Sequence, residues 1–152
     1  MKLKNSLSKY IATIYKDMGY YLYKEAEKYN LKKHHLIILF VLYNHEGITQ
    51  SELKEILMLD EITITKRLKG LVEKEYIKKE QSKNDKRKKE LYITEKGYEI
   101  QEELNDINER TNTILTQGVS KEEEKITKQV LKKMSENIYE FAQELRKNSQ
   151  NK

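Results

Sequence analysis

The amino-acid sequence predicts a mainly α-helical fold with one small antiparallel β-hairpin. Apolar residues recur at three- and four-residue spacing over most of the 152-residue chain, which is the periodicity of amphipathic helices. Helix breakers are few, because the chain has no proline and only five glycines. One stretch differs from the rest and combines β-prone flanks with a charged centre, as two strands joined by an exposed tip would.

The composition excludes several classes of protein. Charged residues make up 36% and apolar residues 37% of the chain, against about 25% and about 45–50% in average globular domains. This balance suits solvated helices that share a core with a partner. The absence of cysteine excludes disulfides, thiolate zinc sites and cysteine nucleophiles. Without a signal peptide or an apolar run of about 18 residues, we expect a cytoplasmic protein with no membrane partner.

Two helices are predicted in the first third of the chain. An amphipathic helix has its apolar stripe between Leu3 and Leu22, and Asn30 interrupts the pattern after it. A second helix is centred on Leu36–Tyr43 and ends before Gly47. Since this helix is apolar on much of its circumference, we expect it at the centre of the fold.

Two short helices follow. Thr49 and Glu52 have the spacing of a capping box, which predicts a helix start, and this helix runs to Leu57. Asp60 is the expected N-cap of the next helix, which runs to Val72. The outward face of this second helix is polar and basic, with Thr63, Thr65, Lys66, Lys69 and, in part, Arg67.

The most charged segment of the chain is the predicted hairpin. Lys78–Lys89 contains seven basic and two acidic residues, a net charge of +5 that equals the net charge of the whole chain. Tyr76 and Ile77 precede it and Leu91–Ile93 follow it, as two strands would. A cationic finger on an otherwise neutral body suits contact with a polyanion. A short third strand is expected near Ile48.

The C-terminal third is predicted to be helical. Thr94 is the expected cap of one long helix that runs to Leu115. Ser120 and Glu123 repeat the capping-box spacing. They would open a last amphipathic helix with an apolar stripe along Ile126–Leu145.

Two short helices followed by a basic hairpin form the pattern of a winged helix-turn-helix. In such a lobe the second helix enters the major groove of double-stranded DNA, and the hairpin reaches the adjacent minor groove. The start of the first helix can donate amides to a phosphate. The predicted DNA-contacting residues are Gln50 and Ser51 on the first helix, Thr63, Thr65, Lys66, Arg67 and Lys69 on the recognition helix, and Lys83, Asp85, Lys86, Arg87 and Lys88 on the wing.

A carboxylate inside the cationic segment needs a structural task. Arg87 is the one arginine of Lys78–Lys89, and its planar donor fork and weak hydration suit a narrow minor groove. Asp85 lies two residues earlier, on the same side of an extended arm. Our hypothesis is that Asp85 either orients Arg87 or ties the wing to the recognition helix.

The order of elements resembles the MarR family of winged-helix regulators. The most specific part is Asp85-x-Arg87, followed by a strand, Thr-Glu-Lys-Gly and a helix. The resemblance implies a homodimer with a helical dimerisation region over 1–30 and 98–147, a DNA-binding lobe over 31–97 and a disordered tail over 148–152. It also implies that Arg87 enters the minor groove and that Asp85 braces it. The matching segments are Leu36–Gly47, Ile48–Leu53, Thr63–Ile77, Asp85–Arg87 and Leu91–Gly97.

Two positions depart from the family pattern. Family members often have glycine where this chain has Glu75, so the turn between recognition helix and wing is open to a different geometry. Gly70 lies inside the recognition helix, where glycine costs ~1 kcal/mol relative to alanine.

The expected function is sequence-specific control of transcription, most often repression, by a homodimer on a pseudo-palindromic operator. No cofactor is expected. Relatives bind aromatic acids, so an unidentified small aromatic effector is a candidate ligand, and its binding residues are unknown. The tyrosines of the first helix are candidates to line its pocket or to pack at a helix interface: Tyr10, Tyr15, Tyr20, Tyr21 and Tyr23.

Two other functions remain open at this point. One is a non-specific DNA-organising protein, and the other is a winged-helix module that binds protein and never touches DNA. An enzyme is not expected, because no nucleophile–base pair, glycine-rich phosphate loop or metal cluster is visible. His34 and His35 are adjacent and point about 100° apart on a helix, so they and His45 are interpreted as surface or partly buried histidines and not as a metal site.

Overall fold

The computed structural model describes residues 6–150, with the side chain of residue 150 excepted. Over this range the chain is mainly helical with one two-stranded antiparallel sheet, which confirms the predicted fold class. No helix in the described range combines the length and the apolar character needed to cross a membrane. The elements are α1 (Leu7–Glu27), α2 (Lys33–Asn44), α3 (Gln50–Ile56), α4 (Glu61–Glu73), β1 (Ile77–Gln81), β2 (Lys89–Ile93), α5 (Glu95–Glu99), α6 (Gln101–Leu115) and α7 (Lys121–Gln150).

The chain divides into two compact units, Met1–Thr111 and Asn112–Lys152. The predicted DNA-binding lobe, 31–97, lies within the first unit. The first unit extends beyond this lobe because Leu104 and Ile107 of α6 are buried in its core. This core also buries Leu22 and Ala26 of α1, so the first unit joins the N-terminal helix to the predicted lobe.

The first two helices form much as their sequence pattern indicates. Ser6 caps α1 by accepting a hydrogen bond from the Lys9 amide at 3.3 Å, and Leu3 lies outside the described residues. Asn30 has a positive φ of 54° in the turn after α1. The apolar helix α2 lies in the core as expected, and its fully buried side chains are Leu36, Ile38, Leu39 and Leu42.

Both short helices begin at the predicted caps. The Thr49 amide donates to Glu52 Oε2 at 2.7 Å, and the Glu52 amide donates to Thr49 Oγ1 at 3.2 Å. Asp60 Oδ1 accepts from the Thr63 amide at 2.7 Å and so caps α4. Helix α4 then buries one stripe, Ile64, Leu68 and Leu71.

The hairpin pairs Ile77 with Ile93 at its base and Gln81 with Lys89 towards its tip. The third strand predicted near Ile48 is reduced to one bridge between Thr49 and Glu90. It stays this short because α3 begins at the next residue, where the capping box bends the chain away.

Glu75 shows how the chain enters the hairpin without glycine. Its φ is +62°, in the left-handed region that favours glycine. The next amide, from Tyr76, donates back to the Leu71 carbonyl at 3.0 Å and closes the end of α4. The turn therefore has the geometry that suits glycine, and Glu75 adopts it.

The prediction of one helix from Thr94 to Leu115 is wrong in one respect. Thr94 does cap a helix, accepting from the Gly97 amide at 3.1 Å, but the chain turns at Ile100 and α6 starts afresh. The first turn is tied to the hairpin, since Thr94 Oγ1 donates to the Glu75 carbonyl at 2.6 Å. Burial of Leu104 and Ile107 sets the direction of α6 separately.

The second unit contains the end of α6 and the long helix α7. Ser120 and Glu123 form the predicted capping box, with the Ser120 amide donating to Glu123 Oε2 at 2.8 Å. Helix α7 continues to Gln150, so the prediction of a disordered tail is wrong for 148–150, while 151–152 lie outside the described residues. No proline or glycine follows Leu145 to end the helix.

Candidate nucleic-acid interface

Helix α4 presents a polar and basic outer face. Opposite its buried stripe, Thr65, Lys66 and Lys69 are exposed, whereas Thr63 and Arg67 are half-buried. The Thr63 hydroxyl donates to Asp60 Oδ2 at 2.9 Å, so this side chain is engaged in the cap of the helix. The predicted recognition-helix residues therefore divide into three exposed and two partly covered side chains.

One side chain joins the recognition helix to the wing. Gln50, at the start of α3, donates through Nε2 to Thr65 Oγ1 at 2.9 Å and to Glu61 Oε1 at 2.7 Å. Lys79 of β1 donates to Gln50 Oε1 at 3.0 Å. Gln50 thus bridges α3, α4 and β1, while the neighbouring Ser51 is exposed.

Glu61 places a negative charge at the start of the recognition helix. Its carboxylate is paired within the protein, since Oε1 accepts from Gln50 and Oε2 lies 3.3 Å from Lys54 Nζ. The hydrogen bonds from Gln50 and Lys54 lower the pKa of Glu61 below its ordinary value. The carboxylate therefore stays ionised and tied to α3.

Sequence reasoning missed the partners of Gln50. The contacts with Glu61, Thr65 and Lys79 join residues 11, 15 and 29 positions apart. No periodic pattern marks such contacts. The sequence shows that Lys79 lies in a basic segment, but it does not show that its side chain contacts α3.

The wing is a structured loop with an exposed cationic rim. Lys83, Lys86, Arg87 and Lys88 are all exposed. Beneath them Ser82 is only 5% exposed, and its hydroxyl accepts from the amides of residues 84 and 85 at 3.2 and 3.3 Å. The Ser82 amide closes the loop by donating to the Lys88 carbonyl at 2.9 Å. The loop backbone is therefore held in place before any ligand arrives.

Asp85 contacts Arg87 at the tip of the wing. Asp85 Oδ1 accepts from the Arg87 backbone amide at 3.0 Å and from Arg87 Nε at 3.2 Å. These two bonds, the backbone bond first, lower the pKa of the Asp85 carboxyl. The Arg87 side chain is 91% exposed. Of the two roles considered for Asp85, these contacts correspond to orienting Arg87, because neither bond links the wing to α4.

A basic cleft of about 760 Å³ lies between the start of α2 and α4. Two histidines line it, and burial lowers the pKa of both His34 and His35 to about 4, with the surrounding cations adding to the effect. Both rings are therefore neutral near pH 7. The positive charge of the cleft comes from Lys32, Lys66, Arg67, Lys69 and Lys74.

His35 also explains the glycine inside the recognition helix. The His35 ring is 3% exposed, and its Nδ1 accepts from the Lys32 amide at 3.2 Å. A Cβ atom on Gly70 would lie 2.9 Å from His35 Nε2. Gly70 thus gives the buried ring room to pack against α4. Within residues 6–150, no three His, Asp or Glu side chains are grouped as a metal site would need.

A helix pair with a basic outer face on its second member, beside a hairpin tipped by an exposed arginine, defines a winged helix-turn-helix DNA-binding protein. A family model described as the MarR family matches residues 31–89. The organic hydroperoxide resistance transcriptional regulator of Bacillus subtilis (strain 168) is 30% identical over 130 residues, which cover 86% of this chain and 85% of that protein.

Solved structures agree with the sequence comparison. A putative MarR family transcriptional regulator from Listeria monocytogenes, complexed with 26mer DNA, is 30% identical with a TM-score of 0.81, covering 90% of this chain and 91% of that chain. A SlyA-like transcription regulator from Listeria monocytogenes is 31% identical with a TM-score of 0.77, covering 91% of each chain. The chain belongs to the MarR family. It is a DNA-binding transcriptional regulator and not an enzyme.

Proposed function

We propose that the protein acts in the cytoplasm as a homodimeric, sequence-specific repressor on a pseudo-palindromic operator. The observation that carries sequence-specific binding is the bridge made by Gln50. Because Gln50 contacts both Thr65 of α4 and Lys79 of β1, the major-groove helix and the minor-groove wing keep a fixed relation. Two elements held in register can recognise a sequence, whereas a loose cationic arm binds any polyanion.

In this proposal each half-site is contacted by one winged lobe. Lys66 and Lys69 of α4 contact the major groove or its phosphates, together with Thr63, Thr65 and Arg67. Arg87, oriented by Asp85, enters the minor groove, and Lys83, Lys86 and Lys88 contact the flanking phosphates. The start of α3, with Ser51, lies against the backbone between the two grooves.

Exposed apolar stripes support the homodimer. On α1 the side chains of Leu7, Tyr10, Ile11 and Ile14 are 42–55% exposed. The second unit repeats the feature, because α7 buries none of its described side chains and exposes one stripe, Ile126, Val130, Ile138, Phe141 and Leu145. Monomeric proteins seldom expose apolar patches larger than a few hundred Å². A second copy of the chain would cover both stripes and would separate the recognition helices by about one DNA turn, roughly 34–36 Å.

Release by a small aromatic effector is part of the same proposal. An effector can shift the separation of the two lobes only if it binds the two arrangements with different affinity. Tyr21 of α1 supports a site on this helix, since its hydroxyl is buried and has no hydrogen-bond partner in the described part of the chain. The other candidates on α1, Tyr10, Tyr15, Tyr20 and Tyr23, are exposed.

Selection of bound sequences from a random duplex pool tests the function. We expect enrichment of an inverted repeat with half-site centres about 10–10.5 base pairs apart, or a multiple of this. The enriched duplex should bind ~10³-fold or more tightly than random DNA. Equal affinity for all duplexes would instead show a DNA-organising protein.

The salt dependence of binding distinguishes the proposed regulator from a winged-helix module that binds protein and never touches DNA. Each phosphate contact should contribute about −0.9 to the slope of log K against log salt concentration. Several contacts from the wing and α4 therefore predict a steep slope. If duplex DNA is not retained at any salt concentration, the chain is a protein-binding module and the proposed function is wrong.

A further inference from the structure

We propose that Ile62 and Thr65 together read one thymine in each half-site, Ile62 through the C5-methyl group and Thr65 through O4. This inference rests on the proposed function and names the base that the recognition helix selects.

Ile62 is an apolar side chain where a helix meets DNA. It is 83% exposed, more than any other large apolar side chain in the described range. It is the second residue of α4, in the N-terminal part of the recognition helix that reaches base edges. A scattered exposed isoleucine is ordinary on a protein surface. At this position its natural contact is the one apolar group of the major groove, the thymine methyl.

Thr65 lies beside Ile62 and presents a hydrogen-bond donor. Residues three apart are neighbours on a helix face. Thr65 Oγ1 already accepts from Gln50 Nε2 at 2.9 Å, and a hydroxyl has one hydrogen to donate. Thr13 and Thr111 donate theirs to the carbonyl four residues back. Thr65 donates to no group in the described part of the chain, so its hydrogen is available to an acceptor on DNA.

The other polar side chains at the start of α4 are engaged in contacts within the protein. The Glu61 carboxylate would attract the amino group of cytosine or adenine, but it accepts from Gln50 and pairs with Lys54 of α3. The Gln50 amide is itself occupied at both ends, so it is a positioning residue for Thr65. What remains at the helix start is an apolar surface next to a donor.

Thymine is the base that matches this pair. In the major groove it places the C5-methyl group next to the O4 acceptor. Cytosine has a donor in place of O4 and no methyl group, while guanine and adenine have acceptors but no methyl group. An apolar side chain with a neighbouring donor therefore selects thymine over the other three bases.

Uracil substitution in the selected operator tests the role of Ile62. Uracil removes the methyl group and keeps O4, and each thymine is replaced in both half-sites at once. Replacement of the thymine that Ile62 contacts should weaken binding by the wild-type protein. Burying one methyl group is worth roughly fourfold in affinity, so the loss over two half-sites should be on the order of tenfold. Ile62→Ala should bind the thymine duplex more weakly to a similar extent. It should show no further loss with uracil at that position.

A second substitution tests Thr65. 5-Methylcytosine, introduced with guanine in place of the opposite adenine, keeps the methyl group and replaces O4 with an amino donor, so the wild-type protein should reject it at the same position. Thr65→Val, which lacks the donor, should no longer distinguish the two bases, and Thr65→Ser should restore the discrimination. Lys66→Ala is the matched control on the same face. It should weaken binding to all duplexes and keep the discrimination between thymine and uracil.

The possible outcomes separate this inference from the function on which it rests. If an operator is selected but Ile62→Ala retains the uracil pattern of the wild type, the reading of thymine by Ile62 is wrong and the proposed function stands. A discrimination against 5-methylcytosine that persists in Thr65→Val overturns the role of Thr65. If the pool yields no enriched sequence, both the function and this inference are overturned.

Discussion

Asp85 places a carboxylate in the most cationic segment of the chain, where its bonds to Arg87 give it a task. An unrestrained arginine loses side-chain freedom when it enters a groove, and holding one such side chain costs about 0.5–1.5 kcal/mol. Asp85 accepts from both the backbone amide and Nε of Arg87. In the proposed function this contact meets part of that cost before binding, while the negative charge of Asp85 weakens the non-specific attraction of the wing for DNA.

Replacing Asp85 tests whether this residue orients Arg87 for DNA binding. Asp85→Ala makes the wing more positive, yet we expect affinity for the operator to fall by about 1 kcal/mol per half-site as Arg87 loses its brace. Affinity for random DNA should stay the same or rise. Asp85→Asn is the control, since it keeps an oxygen acceptor for the Arg87 amide and should show a smaller loss. Titrations of operator and random duplexes measure both quantities, and a gain in operator affinity for Asp85→Ala would contradict the orienting role.

At the residue scale, local patterns were predictable and tertiary ones were not. Asp85 and Arg87 are two positions apart, so their pairing follows from the spacing of an extended arm. Thr63 is likewise three positions from the predicted cap Asp60, with which it pairs. The contact between Gln50 and Thr65 joins residues 15 positions apart and depends on the three-dimensional fold. Ile62 was not selected as a site residue, because an apolar residue in a helix is normally assigned to the core.

At the scale of elements, the junction between α5 and the hairpin is closely packed around Gly97. A Cβ atom on Gly97 would lie 2.4 Å from the Tyr76 carbonyl oxygen and 2.7 Å from Ile93 Cγ2. Both contacts are to packed groups at the base of the hairpin. The position therefore requires glycine, and it fixes where α5 leaves the wing.

A pair of identical substitutions should give opposite results at two glycines. Gly97→Ala should destabilise the fold by roughly 1–3 kcal/mol, as overpacking does. Gly19→Ala in α1 is the control, because its added Cβ would meet only the far end of the long Lys33 side chain. This second change should raise stability by up to about 1 kcal/mol through helix propensity. Urea denaturation measures both, and an equal effect at the two positions would refute the argument from Gly97.

Helix starts could be predicted because a cap is written in four consecutive residues. Thr49 with Glu52, Asp60, Thr94 and Ser120 with Glu123 all act as expected. The turn at Ile100 and the late end of α7 were missed. The first depends on contacts of α5 with the hairpin, and at the second no local signal ends the helix.

At the scale of the whole molecule, the exposed apolar stripes of α1 and α7 are the feature that predicts self-association. A charge on the stripe of α7 should therefore disrupt self-association, since burying an unpaired charge in an apolar interface is costly. We expect the wild-type protein to sediment at twice the 18.2 kDa chain mass and Ile138→Glu to shift towards the single-chain mass. The affinity of Ile138→Glu for the operator should fall as the dimer dissociates.

The control for this test is Gln129→Glu, which adds the same charge on the opposite side of α7 and should leave the mass and the DNA affinity unchanged. Sedimentation over a range of concentrations measures the association. A wild-type protein that sediments at the mass of one chain would contradict the homodimer and, with it, the palindromic operator.

The bridge through Gln50 has a kinetic consequence for a regulator scanning a chromosome. If the proposed function holds, α4 and the wing contact each new stretch of duplex together, because Gln50 joins them. A poor match under either element should then shorten the residence time of the whole lobe. We therefore expect operator and random DNA to differ mainly in the rate of dissociation.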